Sequence, residues 1–416
     1  MLAHLQSAFG ICVIVALAWA LSENRRAFPW RTVIAGLLLQ AALALLLLKV
    51  PVARAGLLAL NGAVDALTGA TRAGTSFVFG FIGGGPPPFA VTNPTGMVSF
   101  AFGILPLVIV ISALAALLWH WRILPVIVKG FAFGLRKLMG IGGAVGLGAA
   151  ATIFIGMVEA PLLIRPYLAR LSRGEVFVLM TVGLASVAGT VFFLYASILK
   201  DVVPGALGHI LTASMMSLPA AILIARVMIP ESGGVETEAA SDLKYRSSMD
   251  AVARGTEDGL KIYLQILAML IVMVALVALA DNILKLLPDV AGAPLSLERV
   301  FGWLFAPVVW LFGVPANEAA TAGSLMGTKT ILNELVAYLN LAGLPKGALD
   351  PRSTLIMIYA MCGFANLGSA GILIAGMGTL MPERRDEIVR LAMRAILSGT
   401  MASGLTGAMI GLLPVV

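Results

Sequence analysis

Charge is scarce in this chain: of its 416 residues only 12% are Asp, Glu, Lys or Arg, while 60% are hydrophobic. Soluble domains carry about 25% charged residues, so an ordinary water-facing surface is excluded for most of the sequence. Cysteine is almost missing. Cys12 and Cys362 both fall inside apolar runs, which excludes a disulfide framework and reads as packing. The three histidines, His4, His120 and His209, have no carboxylate neighbours, and no H-x-E, HExxH, CxxC or GxSxG pattern occurs. An enzyme needs a nucleophile with an adjacent base or a ligand cluster, and neither is present. The formal net charge of +7 comes from basic residues scattered between apolar runs rather than clustered with aromatics, which excludes a nucleic-acid surface.

Apolar runs long enough to cross a bilayer are abundant, beginning near Leu5, Val33, Met97, Val176, Ala206, Ile262, Ser353 and Leu391. The expectation is an all-α polytopic membrane protein of about eight spans. Arg25, Arg26 and Arg31 follow the first run, and Arg122, Lys129, Arg136 and Lys137 follow the third. Between runs two and three stand only Lys49, Arg54 and Arg72, so the positive-inside rule puts the N-terminus outside the cytoplasm. No basic residue precedes the first run, so Met1 to Leu21 reads as a retained span rather than a cleaved signal. The 45 glycines and 21 prolines interrupt several runs, and broken helices at membrane depth are tolerated only around cavities or within protein.

One stretch organises the rest: FIGMVEAPLLIRPYL, Phe154 to Leu168, sets Glu159 inside an apolar segment. A carboxylate there costs several kcal/mol unless a partner, cavity or ligand compensates it, which makes it a functional candidate. Lys137 on one flank and Arg165 to Arg173 on the other put both ends of Gly140 to Arg170 at the cytoplasm, as in a re-entrant hairpin with its tip near Gly156 to Pro161. The next span carries Gly183, Ser186, Gly189 and Thr190 at its centre and is expected to unwind there. In the second half, FGVPANEAATAG offers Gly313 and Glu318 as counterparts of Gly156 and Glu159, followed by Glu334 in LNELVAYL and by a span with Asn366 and Ser369 beside Gly363 and Gly368. Hairpin, broken span and plain span thus occur twice in opposite orientation, the sequence signature of an alternating-access transporter.

The expected domains are scaffold spans over 1–139, a first repeat over 140–230, a cytoplasmic loop and scaffold span over 231–298, and a second repeat over 299–416. Pro51 to Pro94 reads as an extracytoplasmic surface helix and a turn; its GGGPPP lacks the Lys and Ser/Thr of a phosphate loop. Arg122, Lys129 and Arg136, seven residues apart, predict one basic face on an interfacial helix against lipid headgroups or packed protein. A short amphipathic helix is expected near Ser248 to Leu260.

Asn317, Glu318, Glu334, Asn366, Ser369 and Glu159 could line a polar pocket suited to a polyhydroxylated solute, or could serve helix ends. Thr152 with a carbonyl near Ile155, and Ser186 with one near Val187, offer oxygen ligands for a hard cation, although such hydroxyls also bond back to their own helix.

The ordered motifs GMVEAPLLIRPYL, GLASVAG, GVPANEA, NELVAYL and CGFANLGS resemble those of the bacterial concentrative nucleoside transporters. That resemblance implies a homotrimer of eight-span subunits in the cytoplasmic membrane, each with a scaffold and a moving domain that works as an elevator. It needs no cofactor beyond a coupling ion. Glu159, Asn366 and Ser369 match the ribose-recognising positions, Glu334 a position near base and ribose, and Phe364 an apolar contact; Gly156 and Val191 complete the candidate substrate set. Pyrimidine-selective relatives resemble each other in a Gln-Thr pair where this chain has Met157 and Val158, which implies relaxed, purine or modified-nucleoside selectivity. Sodium-coupled relatives place Asn where this chain has Thr152, so Na+ through Thr152, Ile155, Ser186 and Val187, or H+ through Glu159 or Glu334, are the two couplings implied. A nucleoside receptor on the same scaffold, or a carrier of another polar solute, are the competing functions.

Overall fold

The computed structural model describes residues 2–91, 99–230, 244–290 and 292–414. Among these, every regular element is helical apart from one bridge between Val290 and Ala293. Helices α1 (Leu2–Ala20) and α2 (Trp30–Lys49) are the first two spans. Helix α3 (Pro51–Phe79) runs 29 residues, and its end is closed where Arg72 Nε donates to Gly84 O at 2.9 Å and Thr75 Oγ1 to Gly83 O at 2.7 Å. The expected start of span three at Met97 lies outside the described residues. Its visible part is a π-helical turn, Phe100–Ile104, and α4 (Leu107–His120). Helix α5 (Ile123–Met139) exposes Lys129 and Arg136 as expected, whereas Arg122 precedes the helix in a left-handed conformation (φ 64°).

The first repeat continues with α6 (Gly143–Ile155), a tip, short α7 (Glu159–Leu162) and α8 (Arg165–Leu168), then α9 (Arg173–Ala185), α10 (Gly189–Leu199) and α11 (Ala206–Met228). Ser172 and Glu175 form a reciprocal cap that starts α9. The span over Arg173–Leu199 is broken at Ser186 to Ala188, where the sequence places Gly183, Ser186 and Gly189.

Helix α12 (Ser248–Leu284) corrects one expectation. The amphipathic stretch near Ser248 to Leu260 is the first third of a single 37-residue helix. Ser247 caps its start, accepting from Asp250 N at 3.1 Å, and no proline interrupts it. The polar residues 231–243 before it lie outside the described residues. Only 6% of the apolar part of α12 is buried, against 89% for the broken span, so α12 is peripheral and the broken span central.

The second repeat comprises α13 (Leu297–Phe312), α14 (Ala319–Ile331), α15 (Glu334–Gly343), α16 (Pro351–Met361), α17 (Leu367–Leu380) and α18 (Arg385–Leu412). Matching it to the first corrects the second hairpin. Amphipathic α5 ends at Gly140 (φ 62°) and α13 at Gly313 (φ 108°), each leading into a 13-residue helix, α6 or α14. Gly313 therefore corresponds to Gly140, not Gly156, and the hairpin tip is Leu332–Asn333, where Asn333 caps α15 by accepting from Val336 N at 2.9 Å. Asn317 is exposed at the Gly313 turn, and the Glu318 carboxylate there accepts from Asp350 N at 3.3 Å; neither lies at the tip.

The two broken spans cross at their breaks. Phe364 N donates to Ser186 O at 3.3 Å, and a Cβ on Gly363 would stand 2.6 Å from Ala185 O. A Cβ on Gly189 would likewise stand 2.9 Å from Phe154 O, so only glycine lets the carbonyl end of α6 reach the first break. Seven helices among the described residues are long and apolar enough to cross a membrane. The remaining expected span is the pair α16 and α17, each half too short alone. The chain is a multi-pass membrane protein.

Candidate functional site

A cavity of about 880 Å³ lies between the two hairpin tips, the two breaks and α12. Its floor is polar. Asn366, the N-cap of α17, accepts from Ser369 N at 2.8 Å through Oδ1 and donates through Nδ2 to Glu334 Oε2 at 3.3 Å. Tyr195 OH donates to the other oxygen, Glu334 Oε1, at 2.6 Å. Capping explains why Asn and Ser stand three residues apart, and it fixes the amide that faces the carboxylate. Glu334, Asn366 and Ser369 are all buried in protein yet border the cavity.

Opposite stands the first tip. The Glu159 carboxylate folds back over the tip, where a Cβ on Gly156 would stand 2.7 Å from its Oε2, and it shares the cavity with Asp258 of α12. Its own first-turn amides are the natural partners for an anion at the start of α7. Met157 and Val158 are held by packing: Met157 Cβ fills the space above Gly183 and the Val158 methyls the space above Gly376. Ile155, Gly156, Val191 and Phe364 add apolar wall, and Ile262, Ile266 and Met269 of α12 close the side. The cavity reaches Asp258 and Lys261 in the first half of α12, and Thr379 and Leu380 where α17 ends before Arg384 and Arg385.

The structure thus gathers Gly156, Met157, Val158, Glu159, Val191, Glu334, Phe364, Asn366 and Ser369 around one space. Thr152, Ser186 and Val187 sit behind it, buried, where the end of α6 meets the first break. Thr152 Oγ1 donates to Gly148 O at 2.9 Å and Ser186 Oγ to Val182 O at 2.8 Å, the back-bonds expected of such residues. Each hydroxyl spends its hydrogen on the helix, which leaves oxygen lone pairs as acceptors. Val187 O accepts from Ser214 Oγ at 3.2 Å. Asn317 and Glu318 are absent from the cavity wall.

Tyr195, Gln265, Asp258 and Lys261 also line the cavity, and sequence reasoning does not find them. Tyr195 had a signal, lying four residues after Val191 on the same helix face. The α12 residues had none, because only tertiary packing turns them toward the tips.

The chain matches the family described as Na+ dependent nucleoside transporter over residues 9–82 for the N-terminal part and 209–411 for the C-terminal part, and the "Nucleoside recognition" gate family over 101–202. It is 37% identical to an uncharacterised transporter, YutK, of Bacillus subtilis, covering 97% of this chain and 98% of that one. Identity to the nucleoside permease NupC of Helicobacter pylori is 34%, covering 98% and 97%. Among solved structures, CNTnw in an inward-facing, substrate-bound state superposes with a TM-score of 0.89 at 35% identity, covering 98% of each chain.

Proposed function

The chain belongs to the Na+-dependent concentrative nucleoside transporter family, whose members are transporters rather than enzymes, and from that premise we propose that it imports nucleosides across a bacterial cytoplasmic membrane, driven by a sodium gradient. The observation that carries this reading is the triad of Glu334, Asn366 and Tyr195 facing Glu159 across the cavity. Carboxylate acceptors and an amide donor suit the vicinal hydroxyls of a ribose. Glu159, Glu334, Asn366 and Ser369 hold the sugar, with Phe364, Val191 and Gly156 against the base and ring.

Met157 and Val158 offer no hydrogen bond to a base edge, which supports relaxed, purine or modified-nucleoside selectivity. Thr152 and Ser186 hydroxyls with the Ile155 and Val187 carbonyls bind the sodium ion. Proton coupling is the second reading, favoured by Glu159 facing a cavity that also holds Asp258.

The polar fastenings support an elevator with a boundary different from a scaffold over 1–139. Arg352 of α16 donates to Gly313 O at 2.7 Å, Ala3 O at 3.0 Å and Gly411 O at 2.7 Å. Gln40 of α2 donates to Met216 O and Thr406 Oγ1, both at 3.1 Å. Glu23, between α1 and α2, accepts from Arg173 at 3.0 Å and from Arg394. Helices α1 and α2 therefore travel with the repeats. Helix α12 instead meets α4 through Gly255 and Gly259, where a Cβ would stand 2.7 Å from Ser112 O or Ile109 Cα. Helices α3, α4 and α12 form the stationary part, and the exposed apolar flank of α12 suits the centre of a homotrimer or lipid. With the N-terminus outside, the cavity opens to the cytoplasm.

Proteoliposome uptake of a nucleoside panel tests the reading. Accumulation driven by an imposed sodium gradient is expected. If neither a sodium nor a proton gradient drives accumulation of any nucleoside, the proposal fails; saturable binding without accumulation would make the protein a receptor.

A further inference from the structure

Lys329 does not line the cavity, yet it is completely buried in the last turn of α14. An ammonium has three hydrogens to donate. Among the described residues Lys329 Nζ has one marginal hydrogen-bond partner, Ser403 Oγ at 3.5 Å, and Ser403 itself donates to Thr400 O. The nearest acidic side chain in sequence is Glu334, five residues on, whose carboxylate borders the cavity. A buried charge with so few direct bonds requires compensation from its surroundings.

The repeat shows what the surroundings are. In the first half, Thr152 occupies the last turn of α6, before the tip that leads to Glu159, and Ser186 ends α9. In the second half, Lys329 occupies the last turn of α14, before the tip that leads to Glu334, and Cys362 ends α16. Helix C-termini present unpaired carbonyls and partial negative charge, which favour a cation, and broken transport helices hold ions at such ends. Lys329 stands in the last turn of one such helix, α14, and α14 packs against another, α16, which ends at Cys362.

We infer that Lys329 is a tethered cation, holding in the second half of the repeat the place that the first half gives to the free coupling ion, and that it positions Glu334 for the substrate. The inference rests on the transporter reading only for the coupling ion and the substrate; the place of the ammonium is independent of it.

The test replaces Lys329 by Ser and compares sodium, methylammonium and choline chlorides at equal ionic strength. Thermal melting of the purified protein, without nucleoside, is the first readout. Lys329→Ser is expected to melt lower than wild type in choline, by roughly 5 °C or more for a broken buried pair, and to recover in sodium or methylammonium while wild type ignores methylammonium. In proteoliposomes the sodium dependence of uptake steepens, its Hill coefficient rising by about one. Lys329→Arg, which keeps the charge, retains the wild-type steepness. The inference is overturned if Lys329→Ser shows the wild-type sodium profile, or if no monovalent cation restores its melting. Should the variant fail to fold, recovery of folded protein only when methylammonium is present during preparation supports the inference, and no recovery in any salt while Lys329→Arg folds overturns it. Because melting needs no nucleoside, a wild type that carries none leaves this result readable.

Discussion

Asn366 performs two tasks with one side chain, and substitution can separate them. Its Oδ1 caps α17 at 2.8 Å from Ser369 N, and its Nδ2 donates to Glu334 at 3.3 Å. Serine caps helices about as well as asparagine but cannot reach the carboxylate. Asn366→Ser therefore keeps the start of α17 and loses the amide. A hydrogen bond to a charged group contributes about 1.5–3 kcal/mol, and the long distance argues for the lower end. At about 1.4 kcal/mol per tenfold, nucleoside affinity should fall roughly tenfold, more if the amide also touches the ribose. Asn366→Ala loses the cap as well, about 1 kcal/mol of stability, and should melt a few degrees below Asn366→Ser. Asn366→Asp keeps the cap but brings a second carboxylate against Glu334, so its affinity should be the lowest of the three. Calorimetric titration of nucleoside and thermal melting in detergent measure the two tasks apart. Wild-type affinity in Asn366→Ser, or equal melting of the Ser and Ala variants, would refute the division.

Glu159→Gln should abolish uptake in proteoliposomes while leaving melting close to wild type, because the carboxylate borders the cavity; wild-type uptake removes Glu159 from the site. Gly363→Ala should lower the melting temperature and uptake together, since its Cβ would stand 2.6 Å from Ala185 O, while Gly130→Ala, in open space on α5, should change neither. The Arg173 guanidinium, bonded to Glu23, holds that carboxyl below its usual pKa, so the pairing stabilises the fold above the usual carboxylate range and fades as pH falls through the depressed value. The melting difference between wild type and Glu23→Gln should accordingly hold from pH 7 down to the usual carboxylate pKa of 4.5 and shrink only below it; a difference that stays constant further down, or that shrinks above it, contradicts the assignment.

The first hairpin and both breaks were legible because their chemistry is local. Gly156 and the Gly183 to Gly189 cluster stop a helix close to where they stand, and the Asn366–Ser369 cap starts one. The second tip was not, since Leu332 carries no breaker and Asn333 acts only by capping α15. The louder GVPAN signal belongs to the turn after α13 and points, misleadingly, to Glu318. The single length of α12 was hidden for the opposite reason: Gly255 and Gly259 resemble stops but are contact points with α4. Lys329 and the cavity-facing residues of α12 acquire their meaning only from a partner distant in sequence.

The hydrogen bond from Phe364 N to Ser186 O ties a candidate ion ligand directly to the wall of the cavity. Whatever the ion does to the geometry at Ser186, the nucleoside meets at Phe364, and the converse holds. Under the proposed sodium coupling, thermodynamic reciprocity makes the factor by which sodium changes nucleoside affinity equal to the factor by which nucleoside changes sodium affinity. Cotransport needs such mutual dependence so that neither solute rides alone, and two broken helices touching at their breaks are a structure able to supply it.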